Sequence, residues 1–342
     1  MSATKEYIFV HDYTLTCKSA GSDLFIVCGD GGVGKSSFIK SITGEEVYIG
    51  STLQSGTKVT ALVPTVINGK RCLFLDMPGF NTVDFDNWDV FFRLMTALSV
   101  VQSYVEFRGV LYVDSLKDER LTPSAEKILT WLSLFCGMEY MSNVTIVVTK
   151  WDGRDEDGIA EKMAKFEQWK ETLLGSMISK GAVVYHHGLT ETGNNYKTLH
   201  IEKAASERRA RARNFISTNY RGSTDIKLQI YNEIANGATI DTTQAGRWLK
   251  YGHDCSEDDG NNSSSNSETG QKSLWDKVDI KDIERWANLL FKASKFFMST
   301  QASRPFEEWD SDPIFEDFEG PEFPFEGDLP IPNEGSTTCN IL

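Results

Sequence analysis

No run of apolar residues in this sequence approaches the ~18 that a membrane-spanning helix needs. A short apolar stretch near the N-terminus, Tyr7–Val10, is too brief for a secretory signal. The six cysteines, at positions 17, 28, 72, 136, 255 and 339, form no CxxC pair and follow no regular spacing. That excludes a disulfide frame and a zinc site, and it reads as reduced thiols in a cytosolic protein. Basic residues are scarce. Lys and Arg total 35 against 49 Asp and Glu, a formal net charge of −14, which argues against a general nucleic-acid binder. Lys and Arg are missing altogether from Pro305 to Leu342, where eleven acidic residues stand. The rest of the chain is therefore nearly neutral. No internal repeat is present.

What the chain does hold is core. Of its 342 residues 40% are hydrophobic and 11% aromatic, enough for one large domain or two ordinary ones. Strand-like runs appear at Leu24–Cys28, Thr60–Ile67, Cys72–Asp76, Val110–Asp114, Val144–Thr149 and Ala182–Tyr185. Several are continuously apolar, as strands buried on both faces of a sheet are. Helical patterns lie between them at Ser36–Thr43, Trp88–Val101, Ser124–Phe135 and Gly158–Ser179. This alternation predicts a layered α/β domain with a mostly parallel sheet. The organisation divides as an N-terminal segment 1–21, an α/β domain 22–200, a helical extension 201–251, a linker 252–273, an amphipathic helix 274–301 and an acidic tail 302–342. The linker and tail have the composition of disordered chain. An Arg-rich stretch, Arg208–Arg213, reads as a solvated helix face, a basic patch for a membrane, or a partner for the acidic tail.

Three segments carry chemistry. Gly29-Asp30-Gly31-Gly32-Val33-Gly34-Lys35-Ser36 fits G-x-x-x-x-G-K-[ST], between a strand and a helix. Its backbone N–H groups cradle phosphates, Lys35 reaches the β/γ-phosphates, and the Ser36 hydroxyl ligates Mg²⁺. The phosphate-binding set is Gly29 to Ser36, with Ser37 behind it. Asp76-Met77-Pro78-Gly79 ends the next buried strand. Asp76 is placed to hold Mg²⁺ through water, and the Gly79 N–H to meet a γ-phosphate. Thr149-Lys150-Trp151-Asp152 follows a later strand. The Asp152 carboxylate can accept from both N1–H and the 2-amino group of guanine, a donor pair that adenine lacks. Lys150 would lay its stem along the base. A γ-phosphate sensor needs a mobile hydroxyl, and Thr57 and Thr60 are the candidates; Thr60 also reads as a plain strand residue.

These motifs resemble a family. Ser55-Gly56-Thr57-Lys58, Asp76-Met77-Pro78-Gly79-Phe80 and Thr149-Lys150-Trp151-Asp152 look like the GIMAP, plant immune-associated and septin-related GTPases. Gly109–Tyr112, Asp118–Leu121 and Leu228–Gly246 are similar to the fungal AIG-like branch. The resemblance covers roughly residues 22–250. It implies a Ras-like fold, Mg²⁺, GTP and GDP, and homodimers formed face to face through the nucleotide-binding domain. Two departures stand out. The fifth guanine-contacting motif is absent, and His186-His187-Gly188 takes its place, with His187 or His186 to stack on the base or simply to lie at the surface. Phe80 stands where Ras-type enzymes carry a water-orienting Gln, so hydrolysis is expected to be slow and to need a donor from a mate or activator. Arg120 is a candidate in trans, and a surface charge otherwise.

The ending Cys339-Asn340-Ile341-Leu342 fits C-a-a-X, with Leu favouring geranylgeranyl. One lipid chain gives only marginal membrane binding. The expectation is a cytoplasmic protein, peripheral on a membrane through Cys339. Competing readings are a slow, dimerising GTPase switch, a nucleotide-binding scaffold with little turnover, and an ATP-using P-loop enzyme, against which Asp152 argues.

Overall fold

The computed structural model describes residues 21–44, 57, 60–116, 122–192, 195–221 and 226–252. The expected N-terminal segment, linker, amphipathic helix, acidic tail, Arg120 and Cys339 lie outside the described residues.

A six-stranded sheet forms the centre. Its strands are β1 (Ser22–Cys28), β2 (Ala61–Ile67), β3 (Lys70–Asp76), β4 (Val105–Asp114), β5 (Val144–Val148) and β6 (Val183–His186). They lie in the order β2-β3-β1-β4-β5-β6. Only β2 runs antiparallel, joined to β3 by the tight turn at Asn68-Gly69. Pro64 sits in the middle of β2, opposite Leu73. The continuous apolar run of β1 is explained by its two buried faces. Leu24, Ile26 and Cys28 face one core, and Phe25 and Val27 face the other.

The helices are α1 (Lys35–Thr43), α2 (Asn87–Val101), α3 (Pro123–Cys136), α4 (Glu156–Lys170), α5 (Leu173–Ser179), α6 (Ala205–Asn219), α7 (Gln229–Ala235) and α8 (Gln244–Tyr251). Helix α3 starts on a Thr122 cap with Pro123 in its first turn, where a missing N–H costs nothing. The two-sided packing and parallel order make this a Ras-like P-loop GTPase fold, as expected from the sequence.

Three features differ from the sequence expectation. The long helical pattern at 158–179 is two helices, because Thr172 is extended between them. Gly175 permits the bend: a Cβ there would lie 1.8 Å from the Lys170 carbonyl oxygen. A hairpin of β7 (Leu189–Thr192) and β8 (Asn195–Thr198) follows β6, with no alternating apolar pattern to announce it. The Arg-rich stretch is not a uniformly solvated face. Arg208 is 4% exposed. Arg213 turns inward to donate to the carbonyls of Ile42 and Val66. Arg211 alone of these three stays at the surface, paired with Glu207 at 3.0 Å.

Candidate nucleotide site

The site lies at the C-terminal ends of β1, β3 and β5, where parallel sheets bind ligands. The loop from Gly29 to Gly34 leaves β1 and enters α1. Gly29 is required: at φ +139 a Cβ would lie 2.1 Å from the Val113 carbonyl oxygen. Gly34 has φ +101 as the residue before α1. The loop is closed on its far side by the chain after β3. Gly31 donates to the Phe80 carbonyl at 2.8 Å, and Phe80 donates to that of Gly29 at 3.1 Å. A Cβ on Gly79 would sit 2.5 Å from the Gly31 Cα, so only glycine fits this contact.

Inside the loop, the Lys35 ammonium donates to the carbonyls of Gly29 at 3.1 Å and Asp30 at 2.8 Å. Burial pushes its pKa down to about 8, against the pull of Asp76, Cys28 and Asp30. Ser36 Oγ donates to Asp76 Oδ2 at 2.7 Å. The same hydroxyl lies 2.7 Å from Thr57 Oγ1. So the start of α1, the end of β3 and Thr57, ahead of β2 in the chain, meet at one point. Thr57 supplies that third group. Thr60 is buried at the entry to β2. Asp76 is fully buried, and its Oδ1 has no hydrogen-bond partner among the described residues. Burial raises the Asp76 pKa, with Ser36 and Lys35 opposing. Two hydroxyls and a carboxylate oxygen left unsatisfied are donors that suit Mg²⁺, a hard cation that keeps several waters. Ser36, Thr57 and Asp76 would hold it. Ser37 points to solvent at the start of α1.

At the other end, Thr149 closes β5 and ties the base loop to the phosphate loop. Its Oγ1 donates to the Val33 carbonyl at 2.5 Å. Lys150 is exposed and holds φ +57, unusual for a residue with a Cβ. That bend is fixed from α4: buried Lys162 donates to the carbonyls of Thr149 at 2.5 Å and Lys150 at 3.0 Å. Its ammonium also lies 4.6 Å over the Trp151 ring. Asp152 keeps 30% side-chain exposure and pairs with the Arg208 guanidinium at 2.5 Å. No sequence motif marks Lys162 or Arg208 as a site residue. Both come from helices whose charges read as surface.

His187 differs from expectation. Its ring is 3% exposed. It packs edge-on against Phe38 at 4.9 Å, and Nε2 lies 3.1 Å from Ser41 Oγ. Burial pushes its pKa down to about 3, keeping the ring neutral. It wedges α1 against β6 and offers no open face to a base. His186 is packed against Trp151 and Phe166. Phe80 is fully buried on Trp131, ring centroids 4.6 Å apart, and does not enter the site.

A family profile described as the 50S ribosome-binding GTPase matches residues 25–150. Residues 25–150 are thus similar to that GTPase family, on the Ras-like P-loop GTPase fold described above. A curated relative, the probable FAD-binding monooxygenase ltbD of Aspergillus luteorubrus, is 25% identical over 185 residues, 54% of this chain and 38% of that protein. Translocase of chloroplast 33 of Arabidopsis thaliana is 26% identical over 151 residues, 43% of this chain and 48% of that protein. The chain thus spans less than half the length of either relative. A solved structure of Arabidopsis Toc33 with Mg²⁺ and GMPPNP has a TM-score of 0.42 at 18% identity, covering 65% of this chain and 95% of that one. The name of the first relative prompts a check, because Gly29-x-Gly31-x-x-Gly34 also satisfies the dinucleotide pattern G-x-G-x-x-G. Topology separates the two. In a dinucleotide fold the strand that follows the first helix lies parallel beside the first strand. Here the strand that follows α1 is β2, antiparallel and at the edge, and the acidic residue that ends the parallel neighbour β3, Asp76, is bonded to Ser36 at the start of α1.

Proposed function

We propose that this GTPase domain binds Mg²⁺ with GTP or GDP and hydrolyses GTP slowly as a nucleotide switch, completing its catalytic site by pairing two such domains. The observation that carries the reading is the convergence of Ser36, Thr57 and Asp76, each contact 2.7 Å long. Ser36, Thr57 and Asp76 would hold the Mg²⁺, which would supply positive charge against the phosphates. The chain itself supplies the rest. Lys35 offers its ammonium to the same phosphates. Gly79 lies against the phosphate loop, where its N–H can meet the γ-phosphate. Thr57 ties a separate loop to that end of the site, so loss of the γ-phosphate would release the loop. Asp152 reads the base.

Phe80 sets the rate. Buried on Trp131, it cannot orient an attacking water. A donor from a second copy is therefore part of the proposal, with Arg120 its candidate. The AIG-like resemblance supports the same pairing. We extend the reading to the membrane: geranylgeranylated Cys339 gives weak attachment, and a dimer presents two chains at once.

The test is GTP hydrolysis measured against protein concentration. A rate per molecule that rises with concentration is expected. Tight GTP binding with no turnover at any concentration would favour the assembly scaffold. Intact-mass analysis of protein from a eukaryotic host checks the lipid, and an unmodified Cys339 would remove the membrane step.

A further inference from the structure

Guanine offers two donors, and a carboxylate reads both only if it is held in the plane of the base. Something must fix the Asp152 rotamer, and the histidine pair at the end of β6 does not. His186 and His187 there are packed among Trp151, Phe166, Phe38 and Tyr185. The group that does reach Asp152 comes from 56 residues downstream.

Arg208 lies in the first turn of α6 and is 4% exposed. Its Nη1 donates to Asp152 Oδ1 at 2.5 Å and to the Leu199 carbonyl at 2.7 Å. The backbone has been cleared for it: at Gly188, with φ +92, a Cβ would lie 2.2 Å from Nη1. So three separate segments, at Gly188, Leu199 and Asp152, converge on one guanidinium. A buried cation of this kind is costly unless it is paired. The pairing is asymmetric. The guanidinium occupies one lone pair of Oδ1 and leaves Oδ2, with the second lone pair of Oδ1, for a ligand. Asp152 is thus anchored on one side and open on the other.

We propose that Arg208 is the positioning residue of the base site, holding Asp152 in the pose that accepts both guanine donors. The inference rests on the guanine reading above. Arg208 does not touch the base. It does the work that the missing fifth motif leaves undone, from a helix outside the residues matched by the family profile.

The test uses hypoxanthine, which keeps N1–H and lacks the 2-amino group. Binding of GDP, IDP and ADP to the full chain is measured by competition. Wild type is expected to prefer GDP to IDP by about tenfold, the size of one charge-assisted hydrogen bond. Arg208→Met should bring that ratio toward one, mostly by weakening GDP. Arg208→Lys, which keeps the cation, should recover part of the preference. Arg211→Met, on the exposed face, should leave it unchanged. A folded Arg208→Met protein with the wild-type ratio, or with GDP and IDP weakened equally, overturns the inference and leaves a merely structural arginine. Should Arg208→Met fail to fold, Gly188→Ala displaces the guanidinium without removing it and should narrow the ratio in the same way; an unchanged ratio there overturns the inference too. Wild type that binds ADP as tightly as GDP would instead sink the guanine reading itself.

Discussion

The two ends of the site are built differently. The phosphate end rests on backbone: Gly29 to Gly34 is one loop, closed by Asp76, Gly79 and Phe80 at the end of β3 and by Thr57 ahead of β2. Its geometry comes from backbone conformation and short side chains. The base end is held by long cationic side chains. Thr149 to Asp152 is a bend held by Lys162 from α4 and by Arg208 from α6. Phosphate binding thus rests on backbone conformation and short side chains, whereas base reading rests on two buried cations.

Lys35→Ala makes the largest break. It removes the only side-chain ammonium seen in the phosphate loop and should weaken GTP and GDP alike by more than ~100-fold, on the scale of a charge-assisted contact of ~3 kcal/mol. Equilibrium binding of a fluorescent GDP analogue reads this. Binding within tenfold of wild type would mean that the backbone cradle suffices alone.

Asp152→Asn should act on the base end only. GDP should weaken by ~1.5–3 kcal/mol while xanthosine diphosphate improves, because xanthine presents an acceptor where guanine has its amino group. Competition between the two nucleotides measures the switch. Equal losses for both would show that the two ends are not separable.

Lys162→Met sharpens the contrast. It touches no nucleotide, yet it leaves the carbonyls of Thr149 and Lys150 without their donor. Stability should drop by ~1–3 kcal/mol in urea unfolding. GDP affinity should fall while affinity for inorganic pyrophosphate holds. If pyrophosphate weakens as much as GDP, the base loop and the phosphate loop act as one unit.

The smallest effect is the pH dependence of the phosphate end. The free Lys35 ammonium titrates at about 8, and phosphates bind its charged form. Binding therefore draws a proton above that pH. GDP affinity should be level from pH 6.5 to 7.5 and fall by up to about tenfold per unit well above 8. Isothermal titration in two buffers of different ionisation enthalpy counts the proton. No uptake at pH 9 would contradict the Lys35 assignment.

The same contrast decides what the sequence reveals. All six sheet strands are legible as apolar runs, to within about five residues at their ends, most clearly β1, β5 and the second half of β4, where burial on both faces excludes polar residues. The glycines of the phosphate-loop and D-x-x-G motifs are legible, and the fold requires them: at 29 and 79 backbone passes too close to admit a Cβ, at 31 the Thr82 side chain does, and Gly34 has φ +101. Arg208 is not legible. It stands among Arg209, Arg211 and Arg213 in a helix with almost no apolar stripe, and only the fold turns it inward. Lys162 sits in a charged stretch and is hidden likewise. His187 misleads in the other direction: a polar type at a loop-like position turns out to be core. The hairpin β7–β8 is held by tertiary placement with little apolar signal of its own.

Pro64 gives the sheet one further property. An open sheet has two margins where another polypeptide can add a strand by backbone pairing, and unprotected margins lead to fibres. Among the described residues those margins are β2 and β6. The first carries an imino acid at its centre, which lacks the N–H that strand addition requires. The second is four residues long, too short to template much. Growth by edge-to-edge polymerisation is thus discouraged at both ends of the layer. The pairing proposed above would therefore fall to loops and side chains, not to sheet margins.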